Sequence, residues 1–110
     1  MNRYIYGAGG HGKVVLDAMQ LGLVDCSGFI DDRAVGANAG LQVYSTSDII
    51  GNSAAHIHLA IGNCKIREHL AQTLRDASFF SVLHPNALVA KSSKIGEGTF
   101  LAALAIIAPD

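Results

Sequence analysis

The chain has 110 residues, of which 50% are hydrophobic and 15% are charged, and its formal net charge is −1. This length suits a compact domain with a buried core, and so apolar a composition excludes a disordered chain. The balanced charge offers no basic surface, so we expect neither nucleic acid nor a membrane as a partner. The charged fraction lies well below the usual ~25%, and residues 100–110 carry a single charge, at Asp110.

The cysteines and the absence of long apolar segments indicate in which cellular compartment the protein resides. The N-terminus has no apolar stretch of the kind a signal peptide needs. The longest apolar run, residues 100–108, is far shorter than the ~20 residues of a membrane-spanning helix. Cys26 and Cys64 fall in no metal-ligand or C-x-x-C spacing, which favours free thiols and predicts no metal site. We expect a soluble cytoplasmic protein.

Alternating strand and helix patterns run through the first three quarters of the chain. The patterns predict strands at residues 3–6, 24–30, 41–44, 56–61 and 79–83. They predict helices at 11–21 and 64–76, a capped helical turn at 45–51 and a loop at 34–40. Gly22 is expected just after the first helix and Asn63 at the N-cap of the later one. This order predicts an α/β unit, residues 1–83, with a parallel sheet and helices on its faces.

The pattern changes after residue 84 to a six-residue period. Aliphatic side chains recur at Val89, Ile95, Leu101 and Ile107, and a small residue follows each one. This period fits neither an α-helix nor a plain strand, and it is typical of a parallel β-helix. Residues 84–110 are therefore predicted to begin a β-helix that ends in mid-pattern. The interior of such a coil explains why the tail is almost uncharged.

A glycine motif provides the clearest chemical signal. Gly7 to Gly12 reads G-x-G-x-x-G between a predicted strand and a predicted helix, where the helix N-terminus favours a phosphate. Asp31 lies 19 residues after Gly12 at the end of the next strand, where an acidic group can accept hydrogen bonds from a ribose. The unit is small for a dinucleotide, which favours a nucleoside diphosphate with an attached group. An NAD(H)-binding module remains the alternative.

An ordered set of motifs extends along the whole chain. Its members are residues 6–15 (YGAGGHGKVV), 28–32 (GFIDD), 59–63 (LAIGN), Arg67, 83–85 (LHP) and 95–98 (IGEG). In this order the chain resembles bacterial sugar acetyltransferases of the left-handed β-helix (hexapeptide repeat) superfamily. The branch includes sialic acid O-acetyltransferases and UDP-4-amino-sugar N-acetyltransferases of surface glycan synthesis.

The resemblance implies a fold and a set of partners. A Rossmann-like domain would hold a UDP-sugar or related sugar, and a left-handed β-helix would follow it. The complete β-helix would drive formation of a homotrimer and bind acetyl-CoA between subunits, without a metal ion.

The resemblance also implies a substrate site. Gly9, Gly10 and His11 would line it at the helix N-terminus, and Asp31 and Asp32 would contact the nucleoside. Two further residues, Gly62 and Asn63, would close the same crevice.

One departure concerns catalysis. The family's base is a His on a later coil of the β-helix, and residues 85–110 contain no His. The resemblance thus assigns no catalytic residue to this chain. We expect the complete protein to be an acetyltransferase and these 110 residues alone to be an inactive sugar-binding portion. A non-catalytic UDP-sugar or NAD(H) module is the alternative.

Overall fold

The computed structural model of the chain describes residues 2–34, 37–51 and 54–108. The strands of the main sheet are β1 (Asn2–Tyr6), β2 (Gly28–Ile30), β3 (Ala37–Asn38), β4 (Leu41–Tyr44), β5 (Ala55–Leu59) and β6 (Ser78–Phe79). The helices are α1 (Gly10–Leu21), α2 (Thr46–Ile49) and α3 (Cys64–Thr73). The sheet order is β3-β4-β2-β1-β5-β6, and every pair except β3 with β4 is parallel. The predicted α/β architecture with a parallel sheet is confirmed.

Helices cover the sheet on both faces. Side chains alternate along β1, so Ile5 faces α1 while Tyr4 and Tyr6 face the opposite side. Val15 and Met19 of α1 are completely buried against the first face. Burial on both faces explains why Tyr4–Tyr6 and Gly28–Ile30 of the central strands carry no charged side chain. The carboxyl ends of the strands and the first residues of α1 and α3 therefore meet at one edge of the sheet.

The second predicted strand is shorter than expected because the end of α1 occupies part of its range. Leu23 adopts a left-handed φ of 58°. Its amide donates to Gln20 O, and the Val24 amide donates to Met19 O. These two bonds form a Schellman motif. Gly22, expected just after the helix, is its C-cap with φ −84°, and Leu23 rather than Gly22 takes the left-handed conformation.

The predicted loop at 34–40 contains a strand. Ala37–Asn38 pairs antiparallel with Leu41–Gln42, and Ala39 and Gly40 make the turn with φ values of 51° and 79°. Two consecutive residues of positive φ match the twist of a tight hairpin. Ala at the first turn position hides this hairpin from sequence inspection. Residues 35 and 36 lie outside the described residues.

The predicted strand at 79–83 divides between two sheets. Its first part is β6, whereas β7 (Val82–Leu83) leaves the main sheet and pairs in parallel with β9 (Phe100–Leu101). A second parallel pair joins β8 (Leu88–Val89) to β10 (Ile106–Ile107). Both pairs join residues 18 positions apart, or three six-residue periods.

The remaining boundaries agree with the patterns more closely. Ser45 and Asp48 form a reciprocal capping box around α2, and Asn63 caps α3, as predicted. α3 ends at Thr73, three residues before the predicted end. Within the described ranges, no helix is both long and apolar enough to cross a membrane.

Candidate functional site

The glycine motif lies at the carboxyl end of β1 and joins it to α1. The Gly7 amide donates to Ile30 O at 2.8 Å, and Gly7 has φ +112°. A Cβ on Gly12 would lie 2.0 Å from Gly7 O, so α1 packs directly on the turn before it. Any side chain at Gly12 would force the strand and the helix apart.

The two middle glycines leave open space in front of the helix. Gly9 is the N-cap of α1 and supplies no side-chain cap. A Cβ on Gly9 or Gly10 would meet nothing within 4 Å, and both residues are exposed. The first amides of a helix have no acceptor within the helix and carry its positive dipole end. The arrangement can therefore bind an anion with backbone N–H groups.

Asp31 fastens this loop to the end of β2. Its Oδ2 accepts the Ala8 amide at 3.0 Å, while Oδ1 accepts the amides of Arg33 at 2.9 Å and Ala34 at 3.3 Å. Burial by itself would raise the pKa of this carboxyl. The three donated amides and the Arg33 guanidinium outweigh it and bring the pKa below the ordinary 3.8. Asp31 is thus a charged brace between the glycine loop and the residues after β2.

Asp32 faces a different partner at the same edge. Its carboxylate accepts the Thr46 amide at 2.7 Å and the Thr46 hydroxyl at 2.8 Å. The Thr46 hydroxyl also lies 2.5 Å from the Tyr6 hydroxyl. Asp32 is exposed but held in one orientation at the start of α2. The sequence motif marked the acid, whereas Thr46 was recognised only as part of a helix cap.

Asn38 is a second residue that sequence inspection missed. Its Nδ2 donates to Ala8 O at 2.7 Å, so the β3–β4 hairpin also holds the glycine loop. No signal separates Asn38 from the small residues around it, because the contact spans 30 positions. The peptide groups of Ala8 are therefore held on both sides.

Gly62 and Asn63 follow β5 at the same edge of the sheet. The Asn63 Oδ1 accepts the amides of Lys65 and Ile66, each at 3.0 Å, and caps α3. Both residues are exposed. Arg67, one turn into α3, donates to Ile61 O at 3.2 Å and braces the same turn. The structure thus brings all seven predicted substrate-binding residues to one sheet edge, while their contact with substrate stays a prediction.

His11 is exposed on the first turn of α1 and meets an aromatic ring from the distant part of the chain. Its ring lies 5.4 Å from that of Phe100, at 89° between the planes. His58 lies deeper, 1% exposed, with Nδ1 2.9 Å from Phe80 O. Burial lowers the pKa of His58, despite the opposing effect of that hydrogen bond, and His11 lowers it further. His58 is therefore neutral and donates from Nδ1.

Other features of the described residues carry less chemistry. No group of three or more His, Cys, Asp or Glu side chains in those ranges could hold a metal ion. A cavity of about 350 Å³ lies near the amino end of β5, lined by Ile49, Ala55 and Leu74, and is remote from the glycine loop. A cavity of about 280 Å³ lies between Leu59, Arg67 and Glu97.

Comparison with known proteins identifies the family. Residues 2–74 match the PglD N-terminal domain. UDP-N-acetylbacillosamine N-acetyltransferase of Bacillus subtilis (strain 168) is 32% identical over 93% of this chain and 51% of its own length. The chain spans about half the length of this relative.

Solved structures agree over nearly the whole chain. A mutant of perosamine N-acetyltransferase from Caulobacter crescentus, in complex with CoA and GDP-perosamine, matches with a TM-score of 0.90 and 27% identity. That match covers 100% of this chain and 55% of the other. The acetyltransferase domain of PglB from Neisseria gonorrhoeae FA1090 has a TM-score of 0.82 and 33% identity, covering 96% and 55%. The resemblance to sugar acetyltransferases is confirmed, and the chain belongs to the PglD N-terminal domain family.

Proposed function

We propose that this chain is the nucleotide-sugar-binding portion of an acetyl-CoA-dependent sugar N-acetyltransferase. The observation that carries the proposal is the open, uncapped N-terminus of α1 between Gly9 and Gly10. Its backbone amides suit a diphosphate. The relatives support the acceptor class, since they are named as N-acetyltransferases and one was crystallised with CoA and GDP-perosamine.

Different residues at this edge of the sheet would contact different parts of the ligand. The diphosphate would lie on the amides that follow Gly9, with His11 beside it. The nucleoside would lie toward Asp31 and Asp32. Because Asp31 already accepts three amides, its free acceptor capacity is small, and Asp32 is the more exposed carboxylate. Gly62 and Asn63 would close the crevice from the β5 side.

We also propose that the last part of the chain begins a left-handed β-helix, and the 18-residue strand pairing supports this. Three six-residue sides per turn suit a left-handed β-helix, in which β7 and β8 would belong to the first coil and β9 and β10 would begin the second. We propose residues 1–83 and 84–110 as the two domains of a cytoplasmic protein, with β7 at their junction. In the complete protein the β-helix would assemble a homotrimer and bind acetyl-CoA.

Acetyl-CoA would supply the acetyl group to the sugar amine. The amine nitrogen would form a bond to the acetyl carbon while the carbon–sulfur bond breaks, a general base would take the amine proton, and CoA would leave as a thiolate that is then protonated to the thiol. None of the seven predicted site residues is assigned to that proton transfer. Their role is to bind and orient the nucleotide sugar.

Calorimetric titration of the chain with UDP, GDP and NADH tests the binding role. Heat with UDP or GDP is expected, and NADH should compete weakly or not at all. The decisive variant is Gly9→Asp, whose carboxylate can cap α1 and occupy the anion position. We expect the free energy of unfolding to stay the same or rise by a few tenths of a kcal/mol. Nucleotide affinity should fall at least about tenfold, because the new carboxylate repels the phosphates.

Gln72→Glu is the matched control, because it adds the same charge on an exposed position of α3 away from the glycine loop. Equal losses of affinity in both variants would point to a general charge effect. If neither UDP nor GDP gives heat, the proposed function is contradicted.

A further inference from the structure

We propose that Phe100 is a positioning residue of the nucleotide site, which holds the His11 imidazole beside the first turn of α1. The strand pair β7–β9 would then complete a site that otherwise belongs to the glycine loop. This inference rests on the proposed function, because it concerns the same ligand.

The contact joins two parts of the chain that the sequence separates by almost its whole length. The rings of His11 and Phe100 are 5.4 Å apart and nearly perpendicular. Aromatic rings favour this edge-to-face geometry because the positive edge of one ring meets the negative face of the other. His11 is otherwise exposed on the first turn of a helix. Phe100 therefore supplies a wall that restricts its rotamers.

Contacts with buried residues of the core hold Phe100 in place. Its ring lies 6.2 Å from that of His58, at 65°. His58 in turn is buried and donates from Nδ1 to Phe80 O, which fixes the plane of its imidazole. Strand pairing places Phe100 beside Val82, a buried residue of the same core as Val15 of α1. Phe100 therefore has a fixed position from which to orient an exposed side chain.

By holding His11 in one orientation, Phe100 can raise the affinity for the nucleotide without itself contacting the ligand. An exposed His that is free to change rotamer loses conformational entropy when it contacts a phosphate. A His already held in place loses less, so more of the contact energy appears as affinity. Phe100 should strengthen binding only while His11 is present.

A double-mutant cycle with UDP as the titrant tests this dependence, with GDP in its place if UDP gives no heat. Phe100→Leu is expected to weaken binding roughly threefold to tenfold, as the loss of an aromatic pair implies. In the His11→Ala background the same change should have no further effect. Phe100→Tyr keeps the ring and should keep wild-type affinity.

Phe80→Leu is the matched control. The Phe80 ring lies 5.7 Å from that of His58, tilted by 53°, and the aromatic contact found for His11 is with Phe100. The substitution removes an aromatic ring from the same cluster, and it should leave the dissociation constant within about twofold. If Phe80→Leu weakens binding as much as Phe100→Leu, the effect is general destabilisation and the positioning role is overturned.

An NMR measurement on the ligand-free chain separates this proposal from the function on which it rests. A nuclear Overhauser effect between the ring protons of His11 and Phe100 is expected. Its absence would overturn the proposal even if Phe100→Leu fails to fold. Heat on titration combined with additive effects in the cycle would overturn the positioning role alone. No heat with UDP or GDP would overturn the proposed function, and the ligand role of Phe100 with it.

Discussion

Asp31 illustrates how a single side chain of the candidate site can hold the local structure. In many nucleotide-binding folds an acid at this position meets the ribose. Here its two oxygens also accept the amides of Ala8, Arg33 and Ala34 and join the glycine loop to the next strand. The same carboxylate can therefore set the loop conformation before any ligand arrives.

Asp31→Asn should destabilise the chain by about 1 kcal/mol at pH 7. This loss of stability lies at the low end for charged hydrogen bonds because Asp31 is only half-buried. Its pKa is lower in the folded state than in the unfolded state, so its contribution is complete above about pH 3.8 and is lost as pH falls through the folded pKa. Urea unfolding at pH 7 and near pH 3 should show the difference from wild type shrinking in acid.

Asp17→Asn provides the control for this measurement. Asp17 is exposed on α1, away from the glycine loop. The substitution removes the same charge and should change the free energy of unfolding by less than about 0.5 kcal/mol at either pH. A pH-independent loss in Asp31→Asn would contradict the assigned role of its charge.

At the scale of elements, the first turn of α1 contains two glycines with opposite requirements. Gly12→Ala should destabilise the chain by about 2 kcal/mol or more, because the new Cβ would lie 2.0 Å from Gly7 O and force the backbone to move. Gly10→Ala adds the same methyl group where nothing lies within 4 Å. It should be neutral or stabilise by up to about 0.5 kcal/mol, since Ala favours helix. Urea unfolding of both variants measures the contrast, and equal effects would contradict it.

The other end of α1 contains a residue that is poorly suited to its conformation. Leu23 is 92% exposed and takes the left-handed conformation that closes the Schellman motif. Leu23→Gly should stabilise the chain by about 0.5–1 kcal/mol, because glycine adopts this conformation without steric cost. Leu21→Gly makes the same change within the helix and should destabilise by about 1 kcal/mol. Thermal melts that shift in the same direction for both variants would contradict this account.

At the scale of the whole molecule, the 18-residue strand pairs attach the last quarter of the chain to the α/β unit. Leu101 is 8% exposed, whereas Leu104 is 78% exposed. Leu101→Ala should cost about 2–4 kcal/mol through the cavity it leaves, and Leu104→Ala should change stability by less than about 0.5 kcal/mol. Denaturant titration of both variants tests whether residues 82–107 fold as part of the core. Equal small effects would contradict that.

Sequence inspection alone determined the features that depend on near neighbours in the chain. The sheet with helices, the glycine loop at a strand–helix junction, the two helix caps and the six-residue period all have signatures within a few residues. The seven predicted site residues also meet at one sheet edge, because parallel strands bring their carboxyl ends together.

Only the tertiary structure decided which distant groups meet at that edge. Ala8 is held by Asp31 and Asn38, Asp32 is held by Thr46, and β7 leaves the main sheet to pair with β9. Phe100 reaches His11 in the same way. These contacts join residues 14 to 89 positions apart, and neither partner carries a local pattern that names the other. They arise because strand pairing and helix packing bring separate segments together in space, which propensity and periodicity along the chain do not encode.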